Sequence, residues 1–565
     1  VRDDVKNQRG LILTSLGPRK FKNVEDEIEI FAIANKGLTV PVQEPVAGKA
    51  ASKTSKSQSG RLLLIGLLIL AIAFGTWYWL GGDSSDGPGS NSDSRLSIAV
   101  LPLRNLKDDP NLEYFSDGVA QEITDELAKI SAFSVTAFTT SMAYKNSPKS
   151  IPEIADELQL DYLVSGTSRI ELTTDSVILS IELIDPGSQK RVWNGKYLEV
   201  MDNAATLQLS VTRQIAASLD IKLTSQEEIA LNTVNTVSGD AFDLFLKARA
   251  NMNMLNVAGF DQAEQHLLRA IQIDPDYAQA YTLLAWNYVL QGWRWFWRGH
   301  LSIEDARLRA QKNIDAAIRL NPNSSDIYLV RGNFNATFEA NISQAIADVE
   351  RALRINSWPD VPTDYCVCTA VTNYVIAGML AQAKEIANLA SEIDPGNVFI
   401  YHDQGIIYMQ EGKMLQAQAM FQKAVDQYNI PILNFFLGWG LYHNGQYAEA
   451  IPHFEIARVN DTLEAPIHLA YLSNAYFHLG NESLSAQFRE RVVQRYQNTS
   501  EGMDMPMAII SAAQGSKDET LTHLEQAFAN REPMMTYLLN IDPIYWPLHD
   551  EPRFRRIREQ MGYYR

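Results

Sequence analysis

Asp3 and Asp4 are the first residues in the chain that could hold a metal ion, since paired carboxylates are what a catalytic divalent cation needs. Neighbours in sequence point apart on a strand or a helix, so the two cannot chelate one ion and read as solvated surface acids. A second set lies in residues 116–130: Asp117, Glu122, Asp125 and Glu126. Glu122 and Asp125 are three apart, share one side of a helix, and could act as an acid pair. They sit opposite an apolar stripe of Val119, Ile123, Leu127 and Ile130, the ordinary place of a solvated face. No histidine occurs between Val1 and Ala263, which removes the usual acid–base or metal partner. Cys366 and Cys368 are the only cysteines, and their spacing suits neither a relaxed disulfide nor a zinc knuckle, so they read as buried residues. His402, His443 and His478 could sense acidification near pH ~6.5. Repeat units about 10 Å apart keep them from sharing one ion. Phosphate-loop spacing is absent as well. These residues suit binding better than reaction.

The elements that would position them begin with residues 62–80, LLLIGLLILAIAFGTWYWL, nineteen residues without a charge. As a helix this stretch is about 30 Å long, the hydrocarbon thickness of a bilayer. Trp77, Tyr78 and Trp79 gather at one end; Lys49, Lys53, Lys56 and Arg61 precede it, and Asp83, Asp86 and Asp93 follow. The expectation is a membrane-inserted, single-pass protein with a transmembrane helix over 61–80 and its basic N-terminal side in the cytoplasm. The tracts 37–60 and 81–94 lack large apolar residues and read as linkers. A formal net charge of −18 over 565 residues argues against a phosphate-binding surface and hence against a nucleic-acid partner. The chain opens on Val1 and is expected to be a fragment of a longer protein.

Residues 95–222 mix short apolar strands (97–103, 133–138, 162–171, 176–184, 191–198) with amphipathic helices (116–130, 152–160, 203–219), an α/β pattern. From about 240 to 550 a helix–turn–helix pattern returns about eight times. Turn positions fall at Ala258, Asp305, Ala340, Gly378, Gly412, Gly445, Gly480 and Gly515, and twelve residues later alanine stands in seven of the eight. Gly405 and Gly438 let paired helices approach, and Phe421 and Phe454 fill the space between them. A unit of about 34 residues with these positions is the tetratricopeptide pattern, which stacks into a superhelix. Residues 551–565 form a tail.

The first helix of each unit lines the concave side. The candidate partner groove is therefore Phe399, His402 and Met409; Phe435, Trp439, Tyr442 and His443; and Asn474, Phe477 and His478. Such an aromatic groove suits a protein or an extended, apolar peptide. The competing reading is that tight coiling buries these rings in neighbouring units. Residues 292–300, GWRWFWRGH, are extra to the repeat. They either pack on the next helix or touch a membrane or a second chain.

At the N-terminus, residues 11–16 alternate, Gly17-Pro18 turns, and residues 28–33 form a second strand, a hairpin that must complete a sheet lying upstream. Residues 14–33, TSLGPRKFKNVEDEIEIFAI, resemble the closing segment of class III nucleotide cyclase catalytic domains, which makes residues 1–36 the tail of such a domain. The resemblance implies conversion of ATP or GTP to the cyclic monophosphate and pyrophosphate. It places the two metal aspartates and the bound magnesium upstream of this segment, and it implies a homodimer through the cyclase domain. This chain then carries no catalytic, cofactor-binding or metal residue of its own. AVLPLRNL, YFSDGVAQEITDELAKI, DYLVSGTSRIE and VWNGKY resemble the N-terminal domain of TolB, a partner-binding module.

The fold class expected is thus multidomain: a single transmembrane helix, a TolB-N-like α/β domain over 95–222, then an all-α tetratricopeptide superhelix. The function expected is the anchoring and regulatory part of a class III adenylate cyclase in cAMP signalling. It would sit in a bacterial inner membrane with residues 81–565 periplasmic. Two alternatives stay open: a membrane-anchored transcriptional regulator of the CadC kind, whose winged helix residues 1–36 do not contain, and an envelope assembly scaffold.

Overall fold

The described residues open with two strands, β1 (Leu13–Arg19) and β2 (Ile28–Ile33), paired antiparallel with Leu13 opposite Ile33 and Arg19 opposite Ile28. Gly17-Pro18, expected to turn the chain, instead lies inside β1 beside a register shift between Ser15 and Gly17. Proline costs least at such an irregularity, where the ladder needs no donor. The computed structural model describes residues 13–19, 28–33 and 95–563, apart from 108, 172–173, 175, 233–235, 294–300, 356–362, 460–464, 500–502 and 534. The chain divides into two compact units, Val1–Ser92 and Asp93–Arg565, and the two strands belong to the first.

The second unit opens with a mixed sheet and its helices. In chain order these are β3 (Leu96–Val100), β4 (Arg104–Asn105), α1 (Glu113–Leu127), β5 (Phe133–Val135), α2 (Phe138–Met142), α3 (Ile151–Leu158), β6 (Tyr162–Glu171), β7 (Ser176–Asp185), β8 (Lys190–Val200), α4 (Leu207–Ser218) and α5 (Ser225–Asn232). The strand order is β5-β3-β6-β7-β8, with β4 beside β6; β3, β4, β5 and β6 are parallel and β6–β7–β8 antiparallel. The two-residue period of β7 buries Val177, Leu179, Ile181 and Leu183. The stripe Val119, Ile123 and Leu127 of α1 joins the same core.

Among the described residues eight helix pairs follow. They are α6 (Gly239–Met252) with α7 (Val257–Ile273), α8 (Ala278–Gln291) with α9 (Ile303–Leu320), α10 (Ser325–Thr337) with α11 (Ile342–Ile355), and α12 (Thr363–Ile376) with α13 (Leu380–Ile393). Then come α14 (Val398–Gln410) with α15 (Met414–Gln427), α16 (Pro431–His443) with α17 (Tyr447–Val459), α18 (Pro466–His478) with α19 (Glu482–Thr499), and α20 (Asp504–Ala513) with α21 (Lys517–Ala529). Six pairs turn through a residue of positive φ: Ala340, Gly378, Gly412, Gly445, Gly480 and Gly515. That left-handed step ends the first helix, and glycine takes it without a steric cost. In the first pair the positive φ falls on Leu255 rather than Ala258. Asp305 stands inside the first turn of α9, its N–H bonded to the capping hydroxyl of Ser302 at 3.0 Å. A Cβ at Gly405 would run into the ring of Phe421, so α14 and α15 close on each other only with glycine there. Beyond the pairs lie α22 (Met535–Ile541), a 3-10 turn (Pro543–Leu548) and α23 (Pro552–Gln560).

The fold class is corrected accordingly. The described chain is a mostly helical tetratricopeptide superhelix with a small sheet domain, and among the described residues no helix is long and apolar enough to cross a membrane. The longest described helices, α9 and α19, have 18 residues each and are rich in charge. Residues 61–80, where the transmembrane helix was expected, lie outside the described residues, as do Asp3, Asp4 and both linkers. Of the 292–300 tract, Trp293 packs edge-on against Trp286 with centroids 6.0 Å apart, and residues 294–300 lie outside the described set.

Among the described residues two sets of polar contacts tie the sheet domain to the repeats. Arg249 on α6 reaches Glu122 at 2.8 Å and Asp125 at 3.0 Å on α1, and the Tyr114 hydroxyl donates to Asp243 at 2.5 Å. The Glu122–Asp125 pair is therefore part of an interface and not a solvated face: Glu122 is only 2% exposed. At the second tie the hydroxyls of Thr139 and Thr140 on α2 each donate to the buried Asp394 carboxylate at 2.6 Å, and Gly396 N–H donates to Thr140 at 2.8 Å. Arg249→Ala leaves Glu122 buried without its counter-charge, and should lower unfolding free energy in denaturant titration by about 3 kcal/mol.

Candidate functional site

On the concave side of the array the first helices α10, α12 and α14 pack against α22 of the same chain, and the Trp439 ring of α16 meets Tyr537 on it. Every residue of α22 is buried, so its polar groups must find partners within the chain. Its polar groups are met one by one. Thr536 Oγ1 donates to the Ala336 carbonyl at 2.8 Å. Asn540 Nδ2 donates to Val375 and Ile376 carbonyls at 3.1 and 2.7 Å, taking up the end of α12 where helix carbonyls lack partners. Gln410 Nε2 donates to the Asn540 carbonyl, and Arg558 Nη2 donates to Asn540 Oδ1 at 3.0 Å. Tyr563 Oη closes over the top by donating to the Thr536 carbonyl at 2.7 Å.

The sequence-predicted groove residues meet this segment or each other. His402 is buried, with Nε2 2.9 Å from Tyr537 Oη and Nδ1 3.1 Å from Asp403. Met409 and Phe435 are fully buried, the latter among Phe436, Phe454 and Tyr471. Trp439, also fully buried, donates through Nε1 to Tyr471 Oη at 3.0 Å, and Tyr471 in turn donates to Asp542. His443 Nε2 lies 3.0 Å from the same Asp542, which is fully buried just after α22 and caps the 3-10 turn through Ile544 N–H. Burial, then the Asp542 charge, raises the Tyr471 phenol well above its ordinary pKa, and burial does the same to Tyr537. Tyr442 is buried with Oη 3.1 Å from His478 Nε2, and Asn474 donates to the Ile509 carbonyl at 3.0 Å. Three predicted residues lie elsewhere. Phe477 and His478 are exposed near the turn of their unit, and Phe399 faces a cleft of about 440 Å³ between the two interdomain ties, with Tyr114, Phe138, Met142 and Tyr428.

Sequence reasoning missed the occupant itself, because MTYLLNI carries no repeat signature. It also missed His468 on α18. That ring is 2% exposed, stands 5.3 Å from Phe435, and has neither nitrogen hydrogen-bonded among the described residues. Burial, with Arg458 adding to it, pushes its pKa down to about 3. Among the described residues no group of three or more histidine, cysteine or acidic side chains could hold a metal ion. The helix α12 carries Cys366 and Cys368.

The family described as the HilA/YgeH-like transcriptional regulator, second domain, matches residues 94–217. The tetratricopeptide repeat family matches residues 402–462 and 437–498. The chain thus contains tetratricopeptide repeats, a class of fold that typically binds protein partners. A Rhizobium meliloti (strain 1021) protein provisionally named adenylate cyclase 3 is 29% identical over 216 residues, 37% of this chain and 36% of that one. The match thus spans only about a third of that relative's length. Among solved structures, Pseudomonas aeruginosa pilF is 16% identical with a TM-score of 0.29, covering 42% of this chain and 97% of its own. A tetratricopeptide repeat protein from Parabacteroides merdae ATCC 43184 is 12% identical with a TM-score of 0.33, covering 49% and 99%.

Trp439→Ala empties the centre of the filled groove, and should cost about 3–5 kcal/mol in chemical denaturation. A second expectation concerns acid. His468 has a folded pKa below its unfolded value of 6.5, so the unfolded chain binds the extra proton and stability is full above that value. It declines as pH falls from 6.5 toward 3. Urea unfolding compared at about pH 7.5 and about pH 4.5 should show a smaller acid loss in His468→Phe than in the parent.

Proposed function

We propose that this chain is the regulatory, partner-binding portion of a class III adenylate cyclase whose catalytic domain precedes β1. The observation that carries the reading is the 216-residue likeness to the Rhizobium meliloti protein named as an adenylate cyclase. The pairing of β1 with β2, where the sequence resembles the end of a cyclase domain, supports it. In this reading magnesium and ATP are held upstream by the catalytic domain, two chains pair through those domains, and the repeats and sheet domain bind a protein that alters their pairing. Partner contact falls on surfaces outside the groove filled by α22, such as the exposed rim at Phe477 and Leu479.

A second reading has its own observation. The match of residues 94–217 to the second domain of a HilA/YgeH-like transcriptional regulator favours a regulator with a DNA-binding domain ahead of the same modules.

Full-length protein supplied with ATP and magnesium should form cAMP, residues 1–565 alone should form none, and deleting residues 95–563 from the full-length protein should change the rate. A folded full-length protein that makes no cyclic nucleotide but binds DNA through an upstream winged helix would sink the first reading in favour of the second.

A further inference from the structure

Strand β8 is the outer edge of its sheet: β7 pairs with one side, and no strand pairs with the other among the described residues. It is 11 residues long and carries no proline, so it lacks two usual protections of an open edge. Val192, Leu198 and Val200 are 41%, 66% and 51% exposed along it. Trp193 and Tyr197, at alternating positions, pack against the domain core, and their rings close over Gly195, where a Cβ would come within 2.6 Å of the indole. A register shift against β7 between Leu183 and Ile184 leaves Val192 as the extra residue of a bulge.

We propose that β8 pairs antiparallel with β8 of a second copy of this chain, about a two-fold axis through Gly195. The strand read backwards complements itself in this register. Trp193 comes opposite Tyr197 of the second copy and Asn194 opposite its Lys196, while Val192, at the bulge, lies beside its Leu198. Beyond the bulge the basic pair Lys190–Arg191 reaches Glu199 of the second copy. Aromatic, aliphatic and opposite-charge pairs each stabilise a ladder, and like charges directly opposite destabilise it.

Neighbouring registers fail on those terms. An axis at Lys196 sets that lysine against itself; one at Trp193 sets Lys190 against Lys196; one at Asn194 sets Val192 against Lys196. The charges concerned are held only by surface contacts within the chain: Arg191 is 2.9 Å from Glu182, and Glu199 accepts from Asn203 at 2.9 Å. The glycine on the axis lets the two backbones approach while rings from both copies close over it. This self-complementarity selects a second copy over a foreign strand. It is independent of the cyclase reading, since an edge pairing can stand or fall without any nucleotide chemistry.

Sedimentation velocity of the full chain tests it, together with two variants. The parent should dimerise at micromolar concentration. Leu198→Lys, at a side chain that touches little within the monomer, should weaken the dimer about tenfold or more while leaving the circular dichroism spectrum unchanged. The doubly substituted Asn194→Cys, Lys196→Cys chain should form a covalent dimer on mild oxidation, and the parent, with only Cys366 and Cys368, should not. A parent that stays monomeric overturns the proposal. So does a dimer that Leu198→Lys leaves intact and the paired cysteines fail to trap, because it must use another face or another occupant.

Discussion

A tetratricopeptide unit cannot bury both faces of its first helix by itself, and here that constraint is met from inside the chain. The concave sides of α14, α16 and α18 present Trp439, Phe435, Tyr471 and His402, rings too large to leave facing water without a partner. Helix α22 turns back from the end of the array and supplies that partner. It does so with few loose ends: the carbonyls at the end of α12, the Tyr471 hydroxyl and the His402 ring all find a group on α22 or on Asp542. A buried polar network of this kind fixes one arrangement, because sliding α22 by one turn would strand each of those groups in a dry interior.

The second consequence is mechanical. The sheet domain holds the array at two points far apart in sequence, α6 through Arg249 and the α13–α14 turn through Asp394. A solenoid otherwise flexes by small changes summed over its units. Pinned at its first and fourth pairs, this one can change curvature between them only by shifting α1 and α2 as well. Repeats and sheet domain are therefore held together in one compact unit.

The acids that could have formed an active site on α1 are spent on holding Arg249, Lys145 and Lys129. The buried histidines are spent on packing α22 and the α16–α18 interface. What remains open to other molecules is the outer surface: the turn rim of the repeats, the cleft beside Phe399, and the bare edge of the sheet.

Much of this was legible in residue order alone. Left-handed turns at Gly412, Gly445 and Gly480 follow from spacing, because only a local backbone constraint is involved and glycine meets it best. The alternation of residues 162–171 coincides with β6 for the same reason, period two being a property of one strand. The clash awaiting any side chain at Gly405 is likewise readable, since Phe421 sits at a fixed offset in the same unit. Gly17-Pro18 misled because a bulge and a turn use the same residues. The partner of Glu122 and the occupant of the groove could not be read. Arg249 is 127 residues from Glu122, and Tyr537 is 135 from His402. Sequence by itself determined the helices, their turns and which face of each is apolar, all consequences of local periodicity. Only the tertiary structure decided what covers that face, because burial is satisfied by any apolar surface of the right shape and nothing local says which one arrives.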